Sequence, residues 1–312
     1  MTDAKKHAVA AILINYNSAA FTKNCIESIL AYTDKNIDFQ IVVIDNASAL
    51  DDFKMLENYC SNHAFSSLEL IRNNINVGFG AGNMLGVHYS NADYLAFINN
   101  DSVFTSDCLQ IILDAMKSNP EFGICGPLAY KEDGKLLPTI DHFASPAREL
   151  IGRKFLEKIN PGKYPNRKTI YTEPKRAQFV SGSFMVVKAS DFNAVGGFDT
   201  NIFLYYEETD LCKRLLKNNK FAYLIPKATF IHYHGMSTEK SVAIKKELKI
   251  SLLYVIRKHY GWLAHKFLLG FLTVRYFFSS LFKPKYWSLF YVLLIGAPLS
   301  ASLKTKQKIQ PL

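Results

Sequence analysis

The sequence predicts an α/β fold: a Rossmann-like, mostly parallel central sheet flanked by helices and followed by a basic, amphipathic helical appendage. Apolar runs of strand length alternate with segments of helical period through the first third of the chain. Three of those runs end in Asn or Asp, which is typical of a shared ligand-binding edge in a parallel sheet. The Lys and Arg residues concentrate after residue 240, where twelve occur with a single acid, so the net charge of +10 belongs to the tail.

Composition excludes several classes of protein. A chain of 312 residues that is 49% hydrophobic can bury a large core, so wholesale disorder is excluded. The five cysteines are scattered without a C-x-x-C pair, which argues against a zinc site or a disulfide framework and favours a reducing compartment. The first residues lack the long apolar stretch of a secretory signal, and we expect none.

The first half alternates strands and helices at the short spacing of right-handed βαβ units. Each strand is continuously apolar, as expected when both faces of a parallel sheet are covered. The predicted strands are Val9–Ile14, Phe39–Ile44, Leu68–Ile71 and Tyr94–Ile98. The predicted helices are one that starts after Ser18, Asp52–Tyr59 and a segment near Asn83–Ser90.

Short polar side chains follow three of these strands. They are Asn15-Tyr16-Asn17, Asp45-Asn46 and Asn99-Asn100-Asp101. Because the carboxyl ends of parallel strands lie at one edge, the three groups should converge there. Asp101, flanked by amides, is suited to a hard divalent cation that in turn holds a diphosphate, although such residues also form ordinary turns. The Gly78-x-Gly80-x-Gly82 run lacks the spacing of a dinucleotide-binding loop.

The second half is less regular. A helix is predicted over Ser106–Ser118 and strands over Gly123–Leu128, Gln178–Val187, Phe221–Ile225 and Ala228–Ile231. Residues 131–176 are aperiodic and rich in Pro, Gly, Lys and Arg, which indicates either an acceptor-side flap or a surface excursion. Gly182 interrupts its strand and suggests a close backbone approach.

Three acids stand together behind an apolar run. Glu207, Glu208 and Asp210 supply either a general base or the acidic N-terminus of a helix over Leu211–Lys217. The x-His-x-His element at His232 and His234 is either a metal ligand or structural.

Eight motifs in order resemble glycosyltransferase family 2, whose fold is the nucleotide-sugar-binding GT-A fold. The resemblance covers about residues 8–240. The motifs are Ile14–Asn17, Val42–Ser48, Asn76–Asn83, Ile98–Asp101, Ser181–Met185, Gly197–Asp199, Tyr206–Asp210 and His232-x-x-Gly235-x-Ser237.

The resemblance implies a cleft for a nucleotide-diphospho-sugar donor. Asp45 would accept a hydrogen bond from a pyrimidine, and Asp101 and His232 would coordinate Mg²⁺ or Mn²⁺. Asn99 replaces the first acid of the family's DxD motif. The implied donor-binding residues are Asn15, Tyr16, Asn17, Asp45, Asn76, Gly78, Asn83, Asn99, Asn100 and Asp101.

The resemblance also implies inverting transfer to an acceptor hydroxyl. Glu208 stands at the position of the general base, where the family more often has Asp, and Glu207 and Asp210 remain alternatives. The implied acceptor-binding residues are Gly182, Ser183, Tyr206 and Glu207.

Within the family, the chain resembles the rhamnosyltransferase-like branch. This implies dTDP-L-rhamnose or a UDP-hexose as donor, a glycan or polyprenyl-diphosphate-linked acceptor, and a role in cell-surface polysaccharide synthesis. A catalytically weakened sugar- or lipid-binding scaffold is the alternative. A nucleotidyltransferase is disfavoured because no Gly-rich phosphate loop follows the first strand.

The tail predicts a membrane surface as partner rather than nucleic acid, because its basic residues alternate with many apolar and aromatic ones. Ala243–Tyr260 is an amphipathic helix, whereas Tyr286–Leu303 is nearly uncharged. We expect residues 1–240 to form the catalytic domain and 241–312 a peripheral anchor at the cytoplasmic face of the bacterial inner membrane. A membrane span over 286–303 and a homodimer interface are the alternatives.

Overall fold

The computed structural model describes residues 6–233 and 241–310. Its strands are β1 (His7–Asn15), β2 (Phe39–Asn46), β3 (Leu68–Asn73), β4 (Ala92–Asn99), β5 (Ser102–Phe104), β6 (Phe122–Tyr130), β7 (Leu136–Leu137), β8 (Ile140–Asp141), β9 (Lys175–Ala177), β10 (Phe179–Val180), β11 (Phe184–Lys188) and β12 (Phe221–His232). Its α-helices are α1 (Ala19–Tyr32), α2 (Leu50–Ser61), α3 (Gly78–His88), α4 (Cys108–Ser118), α5 (Pro146–Ile151), α6 (Arg153–Ile159), α7 (Ala189–Ala194), α8 (Glu207–Lys217), α9 (Val242–Phe282) and α10 (Trp287–Leu294).

The main sheet has the strand order β3-β2-β1-β4-β11-β6-β12-β5. The first four strands of this order are mutually parallel, and β12 is parallel to β6. β11 runs antiparallel between β4 and β6, and β5 lies antiparallel at the edge beside β12. Apolar side chains cover both faces of the sheet, in two separate buried clusters. The predicted α/β class with a mostly parallel sheet flanked by helices is therefore confirmed.

The register of the central strands brings the polar strand ends together. Asn15 at the end of β1 is level with Asp45 on β2, and Ile14 is level with Asn99 on β4. The predicted groups of polar residues therefore meet at one edge of the sheet.

Two predicted elements differ in their bounds. α3 begins at Gly78 rather than near Asn83, because Gly78 adopts a left-handed φ of 85° and its N–H donates to the Asn76 side chain (2.9 Å). The strand predicted over Gln178–Val187 is two strands, β10 and β11, which pair with different partners on either side of residues 181–183.

The predicted loop over residues 131–176 contains short elements. β7, β8, α5, α6 and the start of β9 fall within it. Sequence periodicity does not reveal them because none is longer than seven residues.

The tail is largely one long helix, α9, broken at Gly261, where φ is 84° and ψ is −179°. The part before Gly261 is packed against the preceding part of the chain, with Leu253 and Ile256 in one buried cluster with Ala144 and Ile202. The buried Glu247 carboxylate accepts hydrogen bonds from the Ser302 hydroxyl (2.8 Å) and the Leu303 N–H (2.7 Å), which fixes the chain end against α9. The predicted division at residue 240 stays a prediction.

The described part of the chain contains no helix that is both long and apolar enough to span a membrane. Of the segment 286–303, only Trp287–Leu294 is α-helical, and turns and short 3-10 helices follow it.

Candidate functional site

A cavity of about 390 Å³ opens at the carboxyl edge of the central strands. It is lined by the end of β1, the start of α3, Asn99 and Asn100, the Phe203–Leu204 segment and five residues of the tail. The predicted donor-binding residues on its wall are Tyr16, Asn76, Gly78, Asn99 and Asn100.

Other predicted donor residues are absent from this lining. Asn15 and Asp45 are fully buried, and the Asn15 amide donates to Asp45 Oδ1 at 2.9 Å. Asn17 accepts from the Ala49 N–H (2.7 Å), and the Asn83 amide donates to the Phe79 carbonyl (3.0 Å) within α3. These four side chains hold the loops around the cavity, and their contact with a nucleotide stays a prediction.

Gly78 is required by the shape of the wall. A Cβ on this residue would lie 2.1 Å from the Phe203 carbonyl oxygen, and its φ is positive. The Asn46 amide donates to Asn76 Oδ1 (3.0 Å) and the Gly78 carbonyl (3.2 Å), so it joins β2 to the start of α3. Asn46 also lines the cavity, although only its neighbour Asp45 was predicted as a donor residue.

Asp101 and His232 come together although they are 131 residues apart in sequence. His232 Nε2 lies 2.9 Å from Asp101 Oδ1 and 3.5 Å from the Asn99 amide nitrogen. Asp101 Oδ2 is buried and has no hydrogen-bond partner among the described residues. A buried carboxylate oxygen left without a partner is unfavourable, and a hard cation would satisfy it.

The residues present fit a divalent cation whose remaining ligands come from a diphosphate. Within residues 6–233 and 241–310, no group of three or more His, Cys, Asp and Glu side chains is arranged to hold a metal. Asp101 and His232 would thus be two protein ligands and would leave the other coordination positions to substrate phosphates. His234, Gly235 and Ser237 of the same predicted motif lie outside the described residues.

The acidic motif opens α8. Tyr205 and Tyr206 both have left-handed φ values, 70° and 72°, immediately before Glu207. Non-glycine residues in this conformation are strained, and such strain is common at functional sites. The turn directs Glu207 and Glu208 into the protein, where Glu207 Oε1 and Glu208 Oε2 are buried and find no hydrogen-bond partner in the described part of the chain.

The two glutamates form a coupled pair. Burial raises the pKa of Glu207 well above its usual value, and the charge of Glu208 raises it further. Burial also raises the pKa of Glu208, but hydrogen bonds from the Gly182 backbone and the Glu207 side chain oppose this rise. Burial therefore favours the protonated form of both glutamates over the pair of charged carboxylates.

Asp210 has different surroundings. Its oxygens lie 2.7 Å from each of Lys258 Nζ, His259 Nε2 and Arg214 Nη2. Burial disfavours ionisation of Asp210, but the hydrogen bond from His259 and the charges of Arg214 and Lys258 outweigh it and hold its pKa below the usual range. These contacts join α8 to α9. Asp210 lines neither the cavity above nor a second cavity, which Glu208 lines.

A second cavity, of about 230 Å³, is lined by residues of β8, β10 and the start of α8. Tyr206, Glu208 and Ser181 line it. Ser183, predicted as an acceptor residue, is buried and hydrogen-bonds Ser181 (3.1 Å) behind the wall. Glu207 is also absent from this lining and lies beneath Gly80, where a Cβ would be 3.6 Å from Glu207 Cγ.

Sequence reasoning missed two sets of residues. The first is the set of tail residues that line the 390 Å³ cavity, namely Ser241, Ala243, Ile244, Leu303 and Gln307. The second is Arg148, Arg153 and Arg167, which line the second cavity. Neither set follows a strand or a motif, so the only signal was the arginine content of the aperiodic segment.

The sequence matches the family model Glycosyl transferase family 2 over residues 10–196. Rhamnosyltransferase WbbL of Escherichia coli (strain K12) is 27% identical over 256 residues, which span 79% of this chain and 92% of WbbL. The N-acetylglucosaminyl-diphospho-decaprenol L-rhamnosyltransferase of Mycobacterium tuberculosis is 28% identical over 54% of this chain and 57% of its own length. The structure of mannosyltransferase PcManGT from Pyrobaculum calidifontis with GDP-Man and Mn²⁺ superposes with a TM-score of 0.57 and 13% identity. That match covers 95% of this chain and 87% of PcManGT, and it shows a shared fold.

Proposed function

The chain belongs to glycosyl transferase family 2 and is a glycosyltransferase with the GT-A fold, and from this we propose an inverting, divalent-cation-dependent sugar transfer. The donor is a nucleotide-diphospho-sugar, and the acceptor is a hydroxyl of a lipid-linked glycan. The observation that carries this proposal is that two cavities approach each other at Gly182, where a Cβ would lie 3.4 Å from the Phe79 ring of the first and 3.5 Å from Glu208 Oε1 of the second. Asn99, beside Asp101 and His232, lines the first, and Glu208 lines the second.

Glu208 is the base in this proposal. It takes the proton from the acceptor hydroxyl, whose oxygen then attacks the anomeric carbon while the bond to the nucleoside diphosphate breaks. Burial raises the pKa of Glu208, which makes its ionised carboxylate a better proton acceptor than an exposed one. The bound cation would neutralise negative charge on the leaving diphosphate. Asp101 and His232 would hold that cation.

The names of the relatives support a rhamnosyl donor such as dTDP-L-rhamnose, with a UDP-hexose as the alternative. One relative is a rhamnosyltransferase, and the other transfers L-rhamnose to N-acetylglucosaminyl-diphospho-decaprenol. Transfer to a lipid-linked acceptor would place this chain in the synthesis of a cell-surface polysaccharide.

We further propose that the tail binds the cytoplasmic face of the bacterial inner membrane without spanning it. The part of α9 after Gly261 exposes an apolar stripe at helical spacing. Its members are Leu263, Phe267, Val274, Phe278, Leu281 and Phe282. Lys266, Arg275 and Lys283 flank the stripe and suit anionic headgroups.

Vesicle binding tests the membrane proposal. Residues in the first part of α9 belong to a buried hydrophobic cluster. Point substitutions are therefore preferable to deletion of the tail, which would expose that cluster. Leu263→Ser with Phe267→Ser should weaken cosedimentation with anionic vesicles, whereas Met55→Ser, at an equally exposed position on α2, should not. Equal binding by both variants would place the membrane surface elsewhere.

Donor binding tests the catalytic proposal. Thermal unfolding should be measured with UDP, dTDP, GDP and CMP, each with Mn²⁺ or EDTA. We expect one pyrimidine diphosphate to raise Tm only with Mn²⁺, because ligands of the native state stabilise it. If each nucleotide gives the same shift with Mn²⁺ as with EDTA, or no shift, the cation-dependent donor site is refuted.

A further inference from the structure

The second cavity joins Glu208 to a group of arginines. Arg148 comes from α5, Arg153 from α6 and Arg167 from the segment that follows, and all three line the same 230 Å³ as Glu208. The carboxylates on this wall are Asp141 and Glu208, and burial raises the pKa of Glu208. Three cationic side chains therefore line the space, and Glu149 and Glu157, which pair with Arg148 and Arg167, are not part of its lining.

Arg148 forms a fixed part of the wall. It is 4% exposed, and its Nη1 donates to the His142 carbonyl (2.7 Å). Its Nη2 donates to Glu149 (3.0 Å) and to the Tyr206 hydroxyl (3.3 Å). These bonds use the ends of the guanidinium, so Arg148 contributes charge and positions Tyr206 beside Glu208.

Arg153 and Arg167 are bound differently. Arg153 donates to Asp141 through Nε (2.9 Å), and Arg167 donates to Glu157 through Nε (3.1 Å). Across residues 6–233 and 241–310, no hydrogen bond involves the Nη atoms of either residue. The paired ends of a guanidinium are the donors that bind phosphate oxygens in a bidentate manner. The carboxylates thus orient the two side chains and leave their phosphate-binding ends open.

The helices that carry two of these arginines also expose apolar side chains. α5 and α6, which carry Arg148 and Arg153, expose Leu150, Ile151, Phe155 and Ile159, at 38% to 57% of their surface. Leu248 of α9 also lines the cavity. An anion site beside exposed aliphatic and aromatic side chains suits a ligand whose phosphate bears a hydrocarbon chain.

We propose that this cavity binds the diphosphate of a lipid-linked acceptor. Arg153 and Arg167 contact the phosphate oxygens, and the hydrocarbon chain of the lipid lies against the exposed apolar side chains of α5 and α6. The sugar attached to the diphosphate then lies between the arginines and Glu208, within reach of the base. This inference rests on the proposed function, because it assigns the anionic part of the acceptor proposed there.

Calorimetric titration of the full chain in EDTA tests the site without cation-assisted binding at Asp101. The probes are geranyl diphosphate, inorganic pyrophosphate and geraniol. We expect geranyl diphosphate to bind more tightly than either of the others. Arg153→Gln with Arg167→Gln should weaken its binding at least tenfold and leave any binding of geraniol unchanged. Lys158→Gln, which removes an exposed charge from α6 outside the cavity, should bind geranyl diphosphate as the wild type does.

Wild-type affinity for geranyl diphosphate in the double arginine variant would overturn the site. Equal affinity of the wild type for pyrophosphate and geranyl diphosphate would refute the lipid part and identify a free phosphate as the ligand. Failure here is distinguishable from failure of the proposed function, because the Mn²⁺-dependent nucleotide shift depends on the other cavity. A preserved nucleotide shift with arginine-independent binding of geranyl diphosphate would reject this inference alone.

Discussion

Replacing Glu208 by Gln is expected to abolish transfer while preserving the fold and donor binding. The amide keeps the size and shape of the side chain but cannot accept the proton of the acceptor hydroxyl. General-base catalysis contributes about 10²–10⁴ in rate, so kcat should fall by roughly 10³. Glu208 lines the acceptor-side cavity and not the donor-side one, so the affinity for nucleotide and Mn²⁺ should be unchanged.

The same substitution has a predicted effect on stability. Because burial raises the folded-state pKa of Glu208, the ionised carboxylate is less favourable in the native state than in the unfolded chain. The contribution of Glu208 to wild-type stability should therefore be complete below its unfolded pKa of about 4.3. It should be lost as pH rises through the raised folded pKa. The Gln variant lacks this loss, so its Tm should equal or exceed that of the wild type at pH 8. Each unit of pKa shift corresponds to about 1.4 kcal/mol.

Three measurements on the purified protein test the role of Glu208: sugar transfer at saturating donor, nucleotide binding by calorimetry and Tm against pH. Glu132→Gln, an exposed carboxylate in the 131–176 segment, is the matched control and should behave as the wild type. Near-normal turnover by Glu208→Gln would refute the assignment of the base. Loss of nucleotide affinity together with kcat would show that Glu208 acts on the donor instead.

Three further predictions concern the neighbouring acids. Asp101→Ala should weaken Mn²⁺-dependent nucleotide binding by at least roughly the tenfold typical of even outer-shell changes around a metal; unchanged affinity in calorimetry would exclude Asp101 as a ligand. Glu207→Ala should move the acid limb of the kcat–pH profile to higher pH, because Glu208 loses a hydrogen bond that lowers its pKa. Glu207→Gln keeps a hydrogen-bond donor and should move the limb less. Equal shifts by the two variants would exclude this hydrogen bond. Asp210→Asn should lower the free energy of unfolding by about 3 kcal/mol at pH 7, since Lys258 loses a buried partner. The folded pKa of Asp210 is depressed, so this difference should disappear as pH falls below about 4; an Asp210→Asn variant of normal stability that cannot transfer sugar would make Asp210 catalytic.

The strands and their polar ends could be predicted because each is a local pattern. A buried strand is a short apolar run, and the side chains that follow it reach the same edge wherever the strands are parallel. This was enough to bring Asn15, Asp45 and Asp101 to one edge of the sheet. The resemblance to glycosyltransferase family 2 is confirmed by the family match, and the fold class by the sheet itself.

Which predicted side chains contact the cavity depended on packing. Asn83 has the sequence context of a donor-binding residue, but it is 1% exposed and hydrogen-bonds within α3. The spacing of Glu207, Glu208 and Asp210 in the sequence does not distinguish their roles. The position of α9 does. Lys258 and His259 of that helix pair with Asp210, while the glutamates have no cation at such distances.

The sequence by itself determined the order of the elements, the sheet edge that carries the site and the family, since these follow from local periodicity and short motifs. Only the tertiary structure decided that Glu207 and Glu208 are buried together, which raises the pKa of both. It also brought Arg153 and Arg167 beside Glu208 and turned the chain end back, so that Leu303 and Gln307 line the donor-side cavity. The reason is physical: desolvation and electrostatic contact act between groups that are close in space, and no periodicity in the chain records that closeness.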